Sequence, residues 1–102
     1  MVPGDFDLAR IDEIIHGRVR LGVMAYLAGG EAAEFTILKT SLGVTEGTLS
    51  VHLRKLEQAG YVAIEKTYKG RRPLTRIRMS EKGKAAFADY LDAIAGLAGL
   101  RG

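Results

Sequence analysis

Apolar residues recur at helical spacing through the first part of the chain. The first stripe has the spacing of an amphipathic helix or helical turn over 7–15 and consists of Leu8, Ile11, Ile14 and Ile15. Gly17 is expected to break this helix. A second stripe predicts a helix that ends at the pair Gly29 and Gly30. Its members are Val19, Leu21, Val23, Met24, Tyr26 and Leu27.

Two short helices are predicted next, separated by a glycine. The first has an apolar face made of Phe35, Ile37, Leu38 and Leu42. Thr36 is its candidate N-cap, and Gly43 is the left-handed residue that ends it. The second helix opens at Thr45 and closes at Gly60, and its inner face consists of Leu49, Leu53 and Leu56. Two helices joined by such a tight turn form a helix-turn-helix, an outline that other helical hairpins share.

The pattern then changes to the alternation of a β-hairpin. The segment 61–68 is rich in β-branched and aromatic residues, with Val62 and Ile64 on alternate positions. A basic turn over 69–73 leads into a returning strand over 74–79. Ser80 is the expected N-cap of a last helix that reaches toward Leu100. The elements predict a mainly helical α+β fold, and the chain has no internal repeat or low-complexity segment.

Length and composition predict one domain. The chain has 102 residues, of which 47% are hydrophobic and 26% charged, which suits a single compact core rather than disorder. It has no cysteine, which excludes disulfides, thiolate metal sites and thiol nucleophiles and fits a reducing compartment. No apolar run approaches the roughly 18 residues that span a bilayer, and the first residues carry acids rather than a basic leader. We therefore expect a cytoplasmic protein without membrane contact.

The charge is distributed unevenly along the chain. Residues 1–34 carry three basic and six acidic side chains, whereas residues 35–79 carry nine basic and three acidic ones. A local basic excess beside an acidic segment is typical of a surface that binds a polyanion. A solvated surface gives the same pattern, and charge alone does not separate the two interpretations.

Three consecutive motifs resemble a known family. The run L-S-V-H-L-R-K-L-E-Q-A-G-Y-V occupies 49–62, the turn K-G-R-R-P occupies 69–73, and the strand over 74–79 leads into S-E-K-G. Over roughly 11–97 the chain resembles the single-domain winged-helix regulators of the MarR and ArsR groups. It carries neither the cysteines of metal-sensing ArsR relatives nor the longer helices that frame a MarR-type ligand pocket, so a small-molecule effector is unknown.

The resemblance implies a winged helix-turn-helix with a three-helix core, a β-hairpin wing and a C-terminal dimerisation helix. We expect a single domain over 1–102, with the winged-helix core over 7–79 and the C-terminal helix over 80–100. The function implied is sequence-specific binding of double-stranded DNA by a homodimeric repressor or activator without a cofactor. A winged-helix module that docks another protein and reads no DNA is the alternative.

Two sets of residues are predicted to contact DNA. If the leucines of the second short helix face the core, its outward side meets the major groove with Thr45, Gly47, Thr48, Ser50, Val51, Arg54 and Lys55. The hairpin is expected to contact phosphates or the minor groove with Lys66, Lys69, Arg71, Arg72 and Arg76. The purely structural alternatives are N-capping for Thr45, a solvated helix face for Arg54 and Lys55, and a solubilising tip for the paired arginines.

The last helix carries more apolar surface than packing onto one small domain requires. The residues expected to form a two-fold dimer contact are Phe87, Tyr90, Leu91, Ile94, Leu97 and Ala98. The alternative is a helix that lies wholly on its own domain.

Enzymatic and metal-binding interpretations are weak. Ser50 and His52 are two positions apart on one helix and point to different faces, so they do not form a nucleophile and its base. A hydrogen-bonded, partly buried side chain is the favoured interpretation of His52. Asp12, Glu13 and His16 have a spacing at which helical residues bind metal, but generic spacing of this kind predicts no metal site. We therefore expect neither an enzyme nor a metalloprotein.

Overall fold

The computed structural model describes residues 7–99, which form four α-helices and a three-stranded sheet. A short 3-10 turn over Leu8–Arg10 precedes them. The α-helices are α1 (Arg18–Ala28), α2 (Phe35–Leu42), α3 (Glu46–Gln58) and α4 (Glu81–Leu97). The strands are β1 (Ala33–Glu34), β2 (Val62–Lys69) and β3 (Arg72–Met79). The mainly helical α+β fold predicted from the sequence is confirmed.

Of the two alternatives predicted over 7–15, an amphipathic helix does not form, whereas a helical turn does: the chain makes the short 3-10 turn and then further turns. Asp12 Oδ1 accepts hydrogen bonds from the backbone N–H groups of Ile14 at 2.8 Å and Ile15 at 3.3 Å. Such local side-chain bonds offer the backbone an alternative to the helical ladder. Gly17 then stands as the N-cap of α1, so the predicted break lies at the start of a helix.

The three helices before the hairpin enclose the core. Side chains from all of them are less than 3% exposed, including Val23, Met24, Leu27, Leu38, Leu49, Leu53 and Leu56. Helix α2 ends as predicted at Gly43, whose φ of 66° is the left-handed conformation of a C-cap. The predicted cap Thr36 is wrong, because α2 begins at Phe35 and its N-cap position is Glu34. Pairing of Glu34 with Arg76 in the sheet sets where the chain enters this helix.

The sheet is antiparallel in the order β1-β3-β2, and β2 and β3 form the hairpin that we call the wing. Lys69 pairs with Arg72, so the turn contains Gly70 and Arg71 instead of the five residues expected from the sequence. Gly70 has a φ of 67°, which allows the strands to reverse over so short a turn. Strand β1 is too short to leave a periodic signal, and sequence analysis missed it.

Helix α4 folds back onto the start of the described chain. Arg10 Nη2 forms ion pairs with Asp89 at 3.1 Å and Asp92 at 2.9 Å. A hydrogen bond of 2.8 Å joins His16 Nδ1 to the Tyr90 hydroxyl. The predicted end of this helix at Leu100 lies outside the described residues. Within residues 7–99, no helix is long and apolar enough to cross a bilayer.

The start of α4 packs closely against the segment that follows α3. Ser80 caps the helix as predicted, with its Oγ accepting from the backbone N–H of Gly83 at 2.9 Å and donating to the Gly60 carbonyl at 2.5 Å. A Cβ atom on Gly83 would lie 2.1 Å from the carbonyl oxygen of Tyr61. Only glycine therefore allows this backbone approach.

Replacing Gly83 with alanine should lower the free energy of unfolding by about 1–3 kcal/mol, because a backbone atom has to move. Urea denaturation followed by circular dichroism measures this value. Gly47→Ala is the matched control, since a Cβ at Gly47 meets no atom within 4 Å. It should raise the stability by up to about 1 kcal/mol. Equal losses in the two variants would contradict the proposed backbone clash.

Candidate nucleic-acid interface

Helix α3 has one buried and one exposed face, and we call it the recognition helix. Leu49 and Leu56 are 0% exposed and Leu53 is 2% exposed. The residues predicted to meet DNA are all exposed on the opposite side of the helix or at its N-terminus. Val51 is 55% exposed although it is apolar, which leaves a methyl-bearing side chain on the outer surface. This surface has the chemistry that base edges and thymine methyl groups require.

The N-terminus of the recognition helix is capped by a threonine pair. Thr45 Oγ1 accepts from the backbone N–H of Thr48 at 3.1 Å and donates to Thr48 Oγ1 at 2.9 Å. The N-cap predicted for Thr45 is confirmed. Because Thr48 Oγ1 accepts within this pair, its own proton remains available to an acceptor outside the protein. Gly47 lies beside it with open space above its backbone, which permits a close approach.

A groove of about 410 Å³ separates the recognition helix from the wing. Ser50 and Arg54 line it from α3 together with the acidic Glu46 and Glu57, and Lys66 and Thr75 line it from the two strands. Lys66 and Thr75 are directly paired across the hairpin, so they share one face of the sheet. The structure therefore brings Arg54 and Lys66, two of the predicted contacts, to a common surface.

Arg76 lies on the other face of the wing. Arg76 is the partner of Glu65 in the strand register, one position away from the pair of Lys66 and Thr75. Because side chains alternate between faces along a strand, Arg76 and Lys66 lie on opposite faces. On that outer face Arg78 forms an ion pair with Glu65 at 2.8 Å. The structure thus does not bring Arg76 to the groove between α3 and the wing. Lys69, Arg71 and Arg72 are exposed at the wing tip, where both sides are open.

The cations predicted to contact DNA form no close ion pairs in the described part of the chain. Within residues 7–99, no ion pair involves any of the cations predicted to contact DNA, which are Arg54, Lys55, Lys66, Lys69, Arg71, Arg72 and Arg76. By contrast, Arg10, Arg78 and Lys84 each lie beside a carboxylate. The recognition helix and wing tip therefore present unpaired positive charge, as a phosphate-binding surface requires.

His52 is a partly buried, hydrogen-bonded side chain, as sequence analysis favoured. Its Nδ1 accepts from Arg20 Nη1 at 2.8 Å. Burial lowers the pKa of His52, and the positive charges of Arg20 and Lys55 lower it further. The Arg20 contact joins residues far apart in sequence, and no spacing rule indicated it. Tyr68 is 70% exposed near the wing tip, and sequence analysis did not single it out as a surface residue.

Two of the three side chains considered for metal binding have other partners. Asp12 Oδ2 accepts a hydrogen bond from the Tyr61 hydroxyl. Burial, followed by this bond and the Asp12 charge, raises the pKa of Tyr61 to about 12. His16 bonds to Tyr90. Across the described part of the chain, no three histidine, aspartate or glutamate side chains are grouped to hold a metal ion.

The predicted dimer residues divide into three groups by exposure. Phe87 and Tyr90 are only 8% and 3% exposed, so they belong to the core of their own chain. Leu91 is 49% exposed, and Ala98 is also exposed. Ile94 and Leu97 are half-buried and line a cavity of about 620 Å³ beside the 3-10 turn. The apolar surface that remains for a partner is centred on Leu91.

Residues 19–97 match the family profile described as a winged helix DNA-binding domain. This match covers the helix-turn-helix, the wing and α4. The chain belongs to the winged helix DNA-binding domain family. It is also similar to an uncharacterised protein of Methanocaldococcus jannaschii, with 39% identity over 79 residues that cover 78% of this chain and 86% of the relative.

Solved structures of transcriptional regulators share this winged-helix fold. A transcriptional regulator homologue from Pyrococcus horikoshii OT3 superposes with a TM-score of 0.82 and 28% identity, covering 86% of this chain and 87% of its own. A MarR-family regulator from Enterococcus faecalis V583 superposes with a TM-score of 0.69 and 25% identity, covering 84% of this chain and 76% of its own. The repressor CouR, whose structure was solved bound to a 23-mer DNA duplex, superposes with a TM-score of 0.67 and 21% identity, covering 86% of this chain and 66% of its own. The predicted winged-helix fold and MarR likeness are confirmed.

Replacing Thr45 with alanine should lower the free energy of unfolding by about 1 kcal/mol, because the first turn of the recognition helix loses its side-chain cap. Thr45→Ser is the control, since serine keeps the hydroxyl and should retain most of the stability. Urea unfolding of both variants gives the comparison. If serine lost as much stability as alanine, the hydroxyl cap would not be the cause.

Proposed function

We propose that this winged-helix protein is a homodimeric transcriptional regulator that reads double-stranded DNA by sequence. The recognition helix enters the major groove, and the wing tip lies on the adjacent minor groove or its phosphates. The observation that carries the proposal is the common groove of α3 and the wing, which Arg54 and Lys66 line from opposite sides. Glu46 and Glu57 line the same groove, but within residues 7–99 neither forms an ion pair with these two cations. The DNA-bound structure of CouR, which has the same fold, supports duplex DNA as the partner.

Different parts of this surface have different roles in the proposal. Thr48, Ser50 and Val51 are exposed on the N-terminal half of the recognition helix, the part that usually meets base edges. They supply hydroxyl groups and an apolar contact for a thymine methyl. Arg54 and Lys66, one on each side of the groove, hold phosphates. Base contacts then set specificity, whereas the cations set affinity.

The wing tip supplies further cations. Arg71 lies in the turn and Arg72 begins β3, so both project from the end of the hairpin with Lys69 beside them. Adjacent like charges repel each other, and binding to a polyanion explains their position better than folding does. Arg76 is not proposed to contact DNA in this arrangement, because it lies on the outer face of the wing.

The homodimer is proposed to form through α4. Leu91 and Ala98 present apolar side chains to solvent, although the protomer has buried Phe87 and Tyr90 in its own core. A two-fold contact through this helix would cover the exposed side chains. It would also place two recognition helices about 34 Å apart, which is one turn of the duplex.

Replacing Arg71 and Arg72 together with alanine should weaken binding to many duplex sequences. The slope of log affinity against log salt should also fall by about 0.9 for each phosphate that the variant no longer neutralises. Fluorescence anisotropy with labelled duplexes at several salt concentrations measures both effects. A protein-docking winged helix, the alternative function, would bind no duplex at any of these salt concentrations.

The control for this experiment removes two positive charges elsewhere. Arg78 and Lys84 already pair with Glu65 and Glu81, at 2.8 Å and 3.0 Å. The double alanine variant at these two positions changes the net charge equally but should affect affinity and salt slope less. Equal effects in the two double variants would show that the wing tip has no special role.

Replacing Leu91 with glutamate should convert the dimer into a monomer, because the charge would be buried at the contact. Duplex affinity should fall as well, since a monomer engages one half-site. Sedimentation velocity gives the mass, and circular dichroism checks the fold. Ala25→Glu adds the same charge to an exposed position of α1 and should leave the dimer intact. A Leu91→Glu variant that sedimented as a dimer would exclude this interface.

A further inference from the structure

One arginine ties the recognition helix to the turn before α1. Arg20 Nη1 donates to His52 Nδ1 at 2.8 Å. The same guanidinium donates from Nε to the Ile14 carbonyl and from Nη2 to the Glu13 carbonyl, the latter at 3.5 Å. Arg20 belongs to α1, so its side chain joins three segments of the fold. Gly17 leaves it room, because a Cβ there would lie 2.9 Å from Arg20 Nη2.

The hydrogen bond between Arg20 and His52 requires a neutral imidazole. A guanidinium is always protonated and only donates hydrogen bonds, so His52 Nδ1 has to be the acceptor and carry no proton. The ring proton is then on Nε2. Protonation of Nδ1 would place a second donor and a second positive charge 2.8 Å from Arg20 Nη1. The hydrogen bond therefore cannot survive the charging of His52.

We infer that Arg20 is a positioning residue for DNA readout, which holds the recognition helix through His52 and releases it when His52 is protonated. Duplex binding should therefore weaken as the solution becomes acidic. His52 lies one position after Val51 and two before Arg54, in the turn of the recognition helix that carries these two residues of the proposed reading surface. A shift of the helix there would misplace side chains that have to match base edges. This inference rests on the DNA-binding function proposed above.

The charges around His52 set the direction of the pH effect. Arg20 from α1 and Lys55 from the recognition helix itself both disfavour its protonation. The turn before α1 carries the acidic Asp12 and Glu13, and it contacts Arg20 through the carbonyls of Glu13 and Ile14. Burial and the charges of Arg20 and Lys55 together lower the pKa of His52 from its ordinary value of 6.5. The neutral form therefore prevails at neutral pH, and the hydrogen bond breaks as the pH falls through the lowered pKa.

Charge attraction alone predicts the opposite change of duplex affinity with pH. An added positive charge on a helix that lies against phosphates would strengthen binding at low pH. A loss of affinity on acidification is thus a result that positioning by Arg20 explains and general charge attraction does not. The sign of the pH profile separates the two models.

The experiment uses the full chain and a duplex selected from a random pool at about pH 7.5. Fluorescence anisotropy measures affinity at several values between about pH 7.5 and about pH 5.5. Two variants form a matched pair. His52→Asn keeps an acceptor, Oδ1, near the position of Nδ1 but does not titrate. His52→Phe keeps a planar ring but has no acceptor.

The wild-type affinity should fall over this range, most steeply at its acid end, because the pKa of His52 is lowered from 6.5. The affinity of the His52→Asn variant should remain nearly constant with pH. At neutral pH this variant should bind the duplex more tightly than the His52→Phe variant does. The chain has two histidines, so the His52→Asn profile also shows what His16 contributes. Circular dichroism at each pH confirms that all three proteins stay folded.

Three results would overturn the inference while leaving DNA binding intact. They are a wild-type affinity that rises or stays constant on acidification, a His52→Asn profile that falls as steeply as the wild type, and equal neutral-pH affinities for the two variants. A protein that enriched no duplex from the pool would instead overturn the proposed function, and this inference with it.

Discussion

Burial of one face of the recognition helix fixes the direction of its opposite face. Leu49, Leu53 and Leu56 are almost fully buried against α1 and the sheet, and each contributes about 1.5–3 kcal/mol through the apolar surface removed from water. With these leucines fixed inside, helical geometry directs Thr48 and Ser50 outward. The same apolar packing that stabilises the core therefore orients the surface that we propose reads DNA.

The register of the wing then selects which cations join that surface. Lys66 faces the groove and Arg76 faces away because they are one position out of phase across the hairpin. A slip of one residue would exchange their faces. Charge counting along the chain treats these two residues alike, although the sheet separates them. Pairing along the full length of the hairpin, closed by the turn at Gly70, prevents such a slip.

The short segment before α1 connects the two ends of the fold. Arg10 pairs with Asp89 and Asp92 on α4, Asp12 accepts from Tyr61, and the carbonyls of Glu13 and Ile14 hold Arg20. Through Arg20 and His52 this segment also contacts the recognition helix. The helix proposed to form the dimer and the helix proposed to read DNA are thus linked through hydrogen bonds and ion pairs of one turn region.

Helices α1 to α4, the wing and the outward face of the recognition helix could all be predicted from the sequence. Apolar period, caps such as Thr45 and turn glycines act over a few positions, so each can be recognised locally. Strand β1, the hairpin register that separates Arg76 from Lys66, and the hydrogen bond of Arg20 with His52 could not be predicted from local patterns. These features join residues that are distant in the chain, and a single hydrogen bond or strand pairing between distant residues leaves no periodic pattern in the sequence.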